Sequence, residues 1–188
     1  MAQRAFPVVR TADDLRLLPD DGNRYEIIDG VLYVTGAPVL AHQRAQMQLI
    51  VLLHPYVERI GWELFAAPTA VRASEITEVQ PDVLVYRPTD RIAEDTHWLS
   101  MPMLALSVEI LSPSTGWRDR GVKKRTYLQN GVTEYWTVDL SDRRIDSWHE
   151  GDAVATSHDA VLEWQPVASH PPLVIDVPSF FRRAYRDG

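Results

Sequence analysis

Two carboxylates stand at the ends of predicted strands, where they could meet in space. Asp82 follows Pro81 at the start of one predicted strand, and Glu109 lies near the end of the next apolar run. If these strands pair antiparallel, the start of one and the end of the other lie at the same edge of the sheet. Two carboxylates so close raise each other's pKa unless a cation lies between them. The pattern therefore predicts a site for a hard divalent ion such as Mg²⁺, which takes one or two carboxylates together with water and phosphate oxygens.

A predicted helix after Glu109 could bring a positive charge to this site. Asp119, Lys123 and Tyr127 follow one another at intervals of four residues, which places them on one helix face. A lysine beside a scissile phosphate can orient the attacking water or stabilise the developing negative charge. Lys123 is therefore the candidate for that role.

Structural roles would also explain the same residues, and spacing alone favours them, because charged pairs on helices are usually solvated faces. Asp82 could simply begin a strand and bond a turn backbone, and Glu109 could reach solvent or pair with an arginine. Asp119 and Lys123 could form an exposed helix pair worth only ~0.3–0.5 kcal/mol.

Other familiar catalytic patterns are absent from the sequence. The six histidines show no HExxH spacing, and His42 is of interest only because it opens the longest predicted helix. Ser112 and Ser114 lack the GxSxG context of a nucleophile elbow, and there is no glycine-rich phosphate loop.

The elements that would position these residues alternate between strands and helices. Helical patterns cover residues 11–18, 41–60 and 117–130, with Ser114 or Thr115 as a cap for the last of these. Strand patterns cover residues 25–28, 31–34, 63–71, 81–86, 103–111, 133–138 and 143–149. Asp29-Gly30 favours a tight hairpin turn between the first two strands. Residues 87–102 are predicted to form a loop, and the chain ends in short strand-like pieces and a basic segment, 180–186.

This order predicts a mixed α/β fold on one sheet, in a single domain spanning residues 1–188. The run 103–111 is continuously apolar, as expected of a central strand buried on both faces. Pro55 is expected to kink the long helix or to end it early. The core-facing stripe of that helix is predicted to consist of Met47, Ile50, Val51, Leu53 and Val57.

Composition narrows the classes of protein only moderately. Of 188 residues, 45% are apolar, and no stretch approaches the ~20 residues of a membrane helix. The absence of cysteine excludes disulfides and thiolate metal sites, and with no signal-peptide pattern we expect a cytoplasmic protein without a membrane partner. The net charge of -7 argues mildly against a large, uniform nucleic-acid surface, but leaves room for a local basic patch or a metal site.

Several of these residues occur in an order that resembles the Uma-two type restriction endonucleases, a family of the PD-(D/E)XK nuclease superfamily. The resemblance covers about residues 10–150, and it includes His42 at the head of the long helix. The segments that carry it are Arg24 to Gly30, Pro81-Asp82, Glu109-Ile110-Leu111, Asp119 to Tyr127, and Gly131 to Asp139.

The resemblance implies a restriction-endonuclease-like α/β fold, with a mixed sheet flanked by helices, and Mg²⁺-dependent hydrolysis of DNA, with Mn²⁺ as a substitute. It also implies that Asp82 and Glu109 are metal ligands and that Glu26 is either a further ligand or a structural residue at a strand end. The superfamily's lysine is expected two residues after the acid, where this chain has Leu111. The matching lysine of the family lies on the following helix, at Lys123. Double-strand cleavage on this scaffold implies a homodimer.

Three hypotheses follow from the sequence. The first is a metal-dependent endonuclease in which Asp82 and Glu109 hold Mg²⁺ and Lys123 steadies the transition state. The second is a catalytically inactive nucleic-acid-binding or regulatory protein on the same scaffold. The third is an interaction domain with purely structural acids, which predicts that Asp82 and Glu109 lie far apart.

Overall fold

The computed structural model describes residues 8–88, 92–113 and 115–186. The strands are, along the chain, β1 (Arg24–Ile28), β2 (Val31–Thr35), β3 (Glu63–Ala66), β4 (Val71–Ser74), β5 (Thr77–Val79), β6 (Val83–Tyr86), β7 (Leu99–Ser100), β8 (Leu104–Ile110), β9 (Glu134–Asp139), β10 (Arg144–His149), β11 (Thr156–His158), β12 (Val161–Trp164) and β13 (Leu173–Asp176). The α-helices are α1 (Leu40–Arg59), α2 (Gly116–Arg118), α3 (Lys124–Gln129) and α4 (Val177–Tyr185). Short 3-10 helices cover Asp13–Leu17 and Met101–Met103.

Within the described residues, the strands form three sheets rather than the predicted single sheet. The central six-stranded sheet has the order β11-β10-β9-β8-β6-β3 and is mixed, because β8 and β9 run parallel while the other neighbours are antiparallel. A five-stranded sheet has the order β2-β1-β5-β4-β7, and β12 pairs with β13. Sequence patterns find strands but not their partners, which is why the division among sheets was missed.

The central sheet is covered on both faces. Alternate residues of a strand point to opposite faces, so Val83 and Val85 pack with α1 and α4, while Leu84 packs with the five-stranded sheet and α3. All seven residues of β8 are buried, which confirms the prediction of a central strand.

The Asp29-Gly30 hairpin forms as predicted. Ile28 pairs with Val31, so only two residues make the turn. Both have positive φ angles, 51° at Asp29 and 77° at Gly30, as a primed turn requires.

The longest helix has the predicted extent but a different buried face. Pro55 lies inside α1 without ending it. Met47 and Val51, predicted to face the core, are 55% and 53% exposed. The buried residues of α1 are instead His42, Ala45, Leu49, Leu53, Tyr56 and Val57. Apolar character alone assigned Met47 and Val51 wrongly, because the buried stripe of this helix also contains a histidine, an alanine and a tyrosine.

The helix after Glu109 contains a wider turn than predicted. Between α2 and α3, Asp119–Lys123 forms a π-helical turn, so that residues 116–129 make one continuous but irregular helix. Such π-bulges within α-helices occur frequently at functional sites. Thr115 occupies the N-cap position without a side-chain cap bond, and Ser114 lies outside the described residues.

The remaining segments differ from the predictions in detail. Residues 63–71 are split between β3 and the start of β4, and the described part of 87–102 includes β7 and a 3-10 turn. The basic C-terminal segment lies largely in α4. Asp176, at the N-cap position of this helix, accepts a hydrogen bond from the Ser179 backbone N–H at 2.7 Å. None of the helices within the described ranges is both long and apolar enough to span a membrane.

Candidate active site

Asp82 and Glu109 lie next to each other at one edge of the central sheet. Strands β6 and β8 are antiparallel and Val83 pairs with Val108, which confirms the pairing that the sequence suggested. The Ile110 backbone N–H donates to Asp82 Oδ2 at 2.8 Å, so the carboxylate of Asp82 reaches the peptide that follows Glu109. Both acids line a cleft of about 820 Å³. Their proximity is the opposite of what the interaction-domain hypothesis predicts.

Asp82 is held by partners on both of its carboxylate oxygens. Arg24 Nη1 contacts Oδ1 at 2.9 Å, and His42 Nε2 contacts Oδ2 at 3.1 Å. Gln46 Nε2 also donates to the backbone oxygen of Asp82 at 2.8 Å. Burial alone would raise the pKa of Asp82, but the hydrogen bond from His42, the charge of Arg24 and the Ile110 N–H outweigh it and lower that pKa to about 2. Asp82 is therefore ionised at neutral pH.

Glu109 is held by the helix that follows it. Lys123 Nζ and the Tyr127 hydroxyl both contact Glu109 Oε1 at 2.8 Å. Burial, together with the charges of Asp82 and other nearby carboxylates, raises the pKa of Glu109 to about 8, although Lys123 opposes the shift. Because burial is the largest cause of this shift, the charged form of Glu109 is poorly solvated at its position.

Lys123 is fully buried and lies between Glu109 and Glu26, not between Glu109 and Asp82. Its Nζ is 2.7 Å from Glu26 Oε1 and 2.8 Å from Glu109 Oε1. Burial would lower the pKa of Lys123, but the two glutamates reverse the shift and raise it above its ordinary value. Lys123 therefore links β1 and β8 through two ion pairs.

Glu26 lies behind Lys123 and does not line the cleft. Its Oε1 also accepts a hydrogen bond from the Gln80 backbone N–H at 2.8 Å, and Arg118 Nη2 is 3.4 Å from its Oε2. Its side chain is completely buried. The metal-ligand role expected for Glu26 remains a prediction, and both of its oxygens already face cations.

Asp119 and Arg118 complete the cluster on the helix side of the cleft. Asp119 Oδ2 accepts a hydrogen bond from the Thr115 hydroxyl at 2.7 Å, while its buried Oδ1 has no hydrogen-bond partner among the described residues. Burial raises the pKa of Asp119. Because Asp119 and Lys123 are only 2% and 0% exposed, the alternative of an exposed helix pair is wrong.

The cluster contains four carboxyl groups and three permanent cations. Its carboxylates are Glu26, Asp82, Glu109 and Asp119, and its permanent cations are Arg24, Arg118 and Lys123. Arg24 and Arg118 were not singled out in the sequence, because an arginine beside a predicted strand or on a helix is usually a solvated surface residue. Only the fold shows that both arginines turn toward the carboxylates.

A mixed central sheet with paired acids at one edge of a cleft defines a restriction-endonuclease-like α/β protein. The chain belongs to the Uma2 family, described as "Putative restriction endonuclease", whose model matches residues 12–175. The fold is similar to that of a solved structure from Anabaena variabilis, titled a putative nuclease belonging to DUF820. The TM-score is 0.77 at 16% identity, over 93% of this chain and 98% of the other. An uncharacterized protein of Synechocystis sp., slr1290, is 28% identical over 150 residues, covering 78% of this chain and 77% of the relative.

Nucleases of this kind are typically metal-dependent, and the cleft fits a metal ion in one particular way. No group of three or more histidine or acidic side chains is placed to hold a metal ion within residues 8–88, 92–113 and 115–186, so these residues offer no all-protein cage. Mg²⁺ does not need one, since it keeps several waters and uses one or two carboxylates with phosphate oxygens. Asp82 and Glu109, which both line the cleft, could serve as two such carboxylates.

Proposed function

We propose that the protein is a metal-dependent endonuclease that hydrolyses phosphodiester bonds of DNA. The observation that carries this proposal is the meeting of Asp82 and Glu109 across strands β6 and β8, in a cleft large enough for a nucleotide. Family membership supports the reaction class, and the choice of DNA as the substrate rests on the family resemblance.

Asp82 and Glu109 would hold the ion, which we propose to be Mg²⁺, with Mn²⁺ as a substitute. When bound, such an ion lowers the pKa of a water molecule and offsets charge on the phosphodiester. Asp82 is suited to this role because its low pKa keeps it ionised without the ion. Glu26 is less suited, because Lys123 and the Gln80 N–H occupy its Oε1.

The contacts of Lys123 favour a role that acts through Glu109. The sequence predicted that this lysine would steady the transition state directly. Its Nζ is completely buried against Glu26 and Glu109, so we propose that it fixes Glu109 in place and favours its ionised form against the effect of burial. Tyr127 would assist, since its hydroxyl donates to the same oxygen of Glu109. Among the groups that line the cleft, Arg24, His42 and Arg118 are candidates for contact with a substrate phosphate.

Plasmid nicking tests the proposal directly. With Mg²⁺ or Mn²⁺, we expect the wild type to nick supercoiled DNA. The nicking rate of Asp82→Ala should be lower by at least about a hundredfold, because an ion ligand at the reacting centre is removed. Asp159→Ala is the matched control, since Asp159 is exposed and does not line the cleft. Cleavage that persists unchanged in Asp82→Ala would sink the assignment, provided that circular dichroism shows both variants to be folded.

A catalytically inactive nucleic-acid-binding protein is the second candidate, and one observation favours it. Both oxygens of Asp82 already accept bonds, from Arg24, His42 and the Ile110 N–H, so an ion would have to share or displace these donors. Calorimetric titration with Mn²⁺ separates the candidates. The endonuclease predicts binding that Asp82→Ala abolishes, whereas DNA binding without any Mn²⁺ binding would identify the inactive protein.

A further inference from the structure

The two carboxylate oxygens of Asp82 are held in different ways. Oδ2 contacts His42 Nε2 at 3.1 Å and accepts a hydrogen bond from the Ile110 backbone N–H at 2.8 Å. Oδ1 contacts Arg24 Nη1 at 2.9 Å, and within the described residues Arg24 is its single partner. Access to Oδ1 therefore depends on the position of one arginine side chain.

The donors on Oδ2 have little freedom to leave. The Ile110 N–H belongs to the backbone at the end of β8. His42 is 7% exposed and lies in the first turn of the 20-residue helix α1. One turn later, Gln46 Nε2 donates to the backbone oxygen of Asp82 at 2.8 Å. Asp82 is therefore kept in place by contacts that do not involve Arg24.

Arg24 has more freedom to move than the other two permanent cations of the cluster. Its side chain is 21% exposed, compared with 7% for Arg118 and 0% for Lys123. Its Nη1 contacts Asp82 and also donates to the Gln80 backbone oxygen at 3.0 Å. Because Arg24 lines the cleft, its guanidinium can turn into the cleft at the loss of these two contacts.

A divalent ion and the Arg24 guanidinium would compete for Oδ1 of Asp82. An ion bound to this oxygen would lie within a few ångströms of Arg24 Nη1, which already contacts it. Two cations repel each other strongly where little water screens them. The side chain of Asp82 is only 2% exposed, so screening by water is weak at this position. Ion binding at Oδ1 therefore requires Arg24 to move away.

We propose that Arg24 is an exchangeable counter-charge of Asp82, which leaves Oδ1 when a divalent ion binds there and places its guanidinium in the cleft. This inference rests on the proposed function for the identity of the ion. It deepens that function, because it explains how a carboxylate with partners on both oxygens becomes a metal ligand. Asp82 itself does not have to move, and the displaced guanidinium can pair with a phosphate oxygen of a substrate.

Two substitutions of Arg24 test the exchange. Arg24→Gln removes the positive charge, whereas Arg24→Lys keeps a positive charge at the same position. Arg16→Gln is the matched control, because Arg16 is 56% exposed at its side chain and does not line the cleft. Calorimetric titration with Mn²⁺, in the absence of DNA, measures the ion affinity of each protein, and circular dichroism shows which variants are folded.

We expect Arg24→Gln to bind Mn²⁺ at least about fivefold more tightly than the wild type, because a competing cation is removed from Oδ1. The affinities of Arg24→Lys and Arg16→Gln should stay within about twofold of the wild type, since neither change removes that competing charge. The loss of a merely structural contact would leave Mn²⁺ binding equal or weaker. Equal or weaker binding by folded Arg24→Gln would therefore overturn the exchange, as would an equal gain in Arg24→Lys.

The wild type reports on the same exchange even if Arg24→Gln does not fold. In a nitrogen–hydrogen correlation NMR spectrum, the side-chain Nε–H signal of Arg24 is the one that Arg24→Lys lacks. We expect Mg²⁺ to move this signal toward those of exposed arginines such as Arg16. A signal that keeps its position while Mg²⁺ binds would overturn the exchange.

Nicking by the wild type separates this inference from the proposed function. If the wild type nicks DNA with Mn²⁺ but Arg24→Gln gains no ion affinity, the exchange fails and the proposed hydrolysis stands. If Arg24→Gln gains ion affinity while the wild type never nicks DNA, the exchange stands and the hydrolysis fails. If neither protein binds Mn²⁺, both proposals fail.

Discussion

Lys123 is a charged residue with no exposed surface, and its neighbours explain how the fold tolerates it. Removing an ammonium group from water costs several kcal/mol unless well-placed opposite charges compensate. Glu26 and Glu109 provide that compensation at 2.7 and 2.8 Å. The lysine in turn allows two glutamates to lie inside the core. Removing the lysine would therefore leave both glutamates buried without their shared cation.

Replacing the ammonium group should be costly for stability. We expect Lys123→Met to lower the free energy of unfolding by about 3–5 kcal/mol, because Glu26 and Glu109 would remain buried without their cation. Lys124→Met is the control at the adjacent position, where the ammonium lies 5.5 Å from the Trp148 ring and the expected cost is below about 1 kcal/mol. Urea unfolding followed by circular dichroism measures both variants. An equal loss of unfolding free energy in Lys123→Met and Lys124→Met would contradict a special role for Lys123.

At the scale of single elements, irregular turns set the positions of the charged groups. The π-helical turn Asp119–Lys123 lies between two α-helical pieces, and both of its terminal residues belong to the buried cluster. At the far end of β9, Asp139 orders the turn into β10. Its Oδ1 accepts hydrogen bonds from the backbone N–H groups of Ser141 and Asp142 at 2.9 and 3.0 Å, and its Oδ2 contacts Arg120.

The Asp139 turn makes a pH-dependent contribution to stability. Burial raises the pKa of Asp139, but the backbone N–H groups and Arg120 outweigh it, and the net shift is below the ordinary value of 3.8. A lowered pKa means that the stabilisation is fully present above pH 3.8 and is lost as the pH falls through the lower, folded-state pKa.

We therefore expect Asp139→Asn to be less stable than the wild type by about 1–2 kcal/mol at neutral pH, since charged hydrogen bonds are weakened. The difference should shrink in acid, where the wild type loses the same charge. Urea midpoints compared at neutral and acidic pH measure it, with exposed Asp159→Asn as the control. A stability difference between the wild type and Asp139→Asn that stays constant as the pH is lowered would rule out this contribution.

At the scale of the whole molecule, the cleft combines residues from both large sheets. Arg24 and Thr35 come from the five-stranded sheet, Glu109 comes from the six-stranded sheet, and His42 comes from α1. The net charge of -7 opposes uniform attraction to nucleic acid, so attraction must come from local donors such as the arginines of this cleft. We expect DNA binding to weaken steeply with added salt.

A homodimer is the assembly expected for cleavage of both DNA strands. Because the described residues of a chain form one cleft with these paired acids, two antiparallel strands would be cut by two chains related by a twofold axis. Sedimentation velocity over a range of concentrations, with and without duplex, measures the assembly. We expect a species of twice the chain mass, at least when duplex is present. A single-chain species under all of these conditions would contradict the prediction.

Local sequence signals predicted the elements better than the way they pack. The Asp29-Gly30 hairpin and the buried strand β8 were predictable, since turn conformation and continuous apolar character are properties of neighbouring residues. The buried face of α1 was assigned wrongly at Met47 and Val51, because which apolar residues are buried depends on where α4 and the central sheet lie. The π-helical turn carried no signal that distinguished it from an ordinary helix.

The sequence by itself determined the α/β class, and it brought Asp82 and Glu109 together on the condition that their two strands pair antiparallel. The tertiary structure supplied that pairing, of β6 with β8, which places both positions at one edge of the sheet. Only the tertiary structure decided that Lys123 lies between Glu26 and Glu109, and that Arg24, His42 and Arg118 face the same cleft. These contacts join residues far apart in the chain, and local propensity does not encode the direction in which a charged side chain turns when several buried partners compete for it.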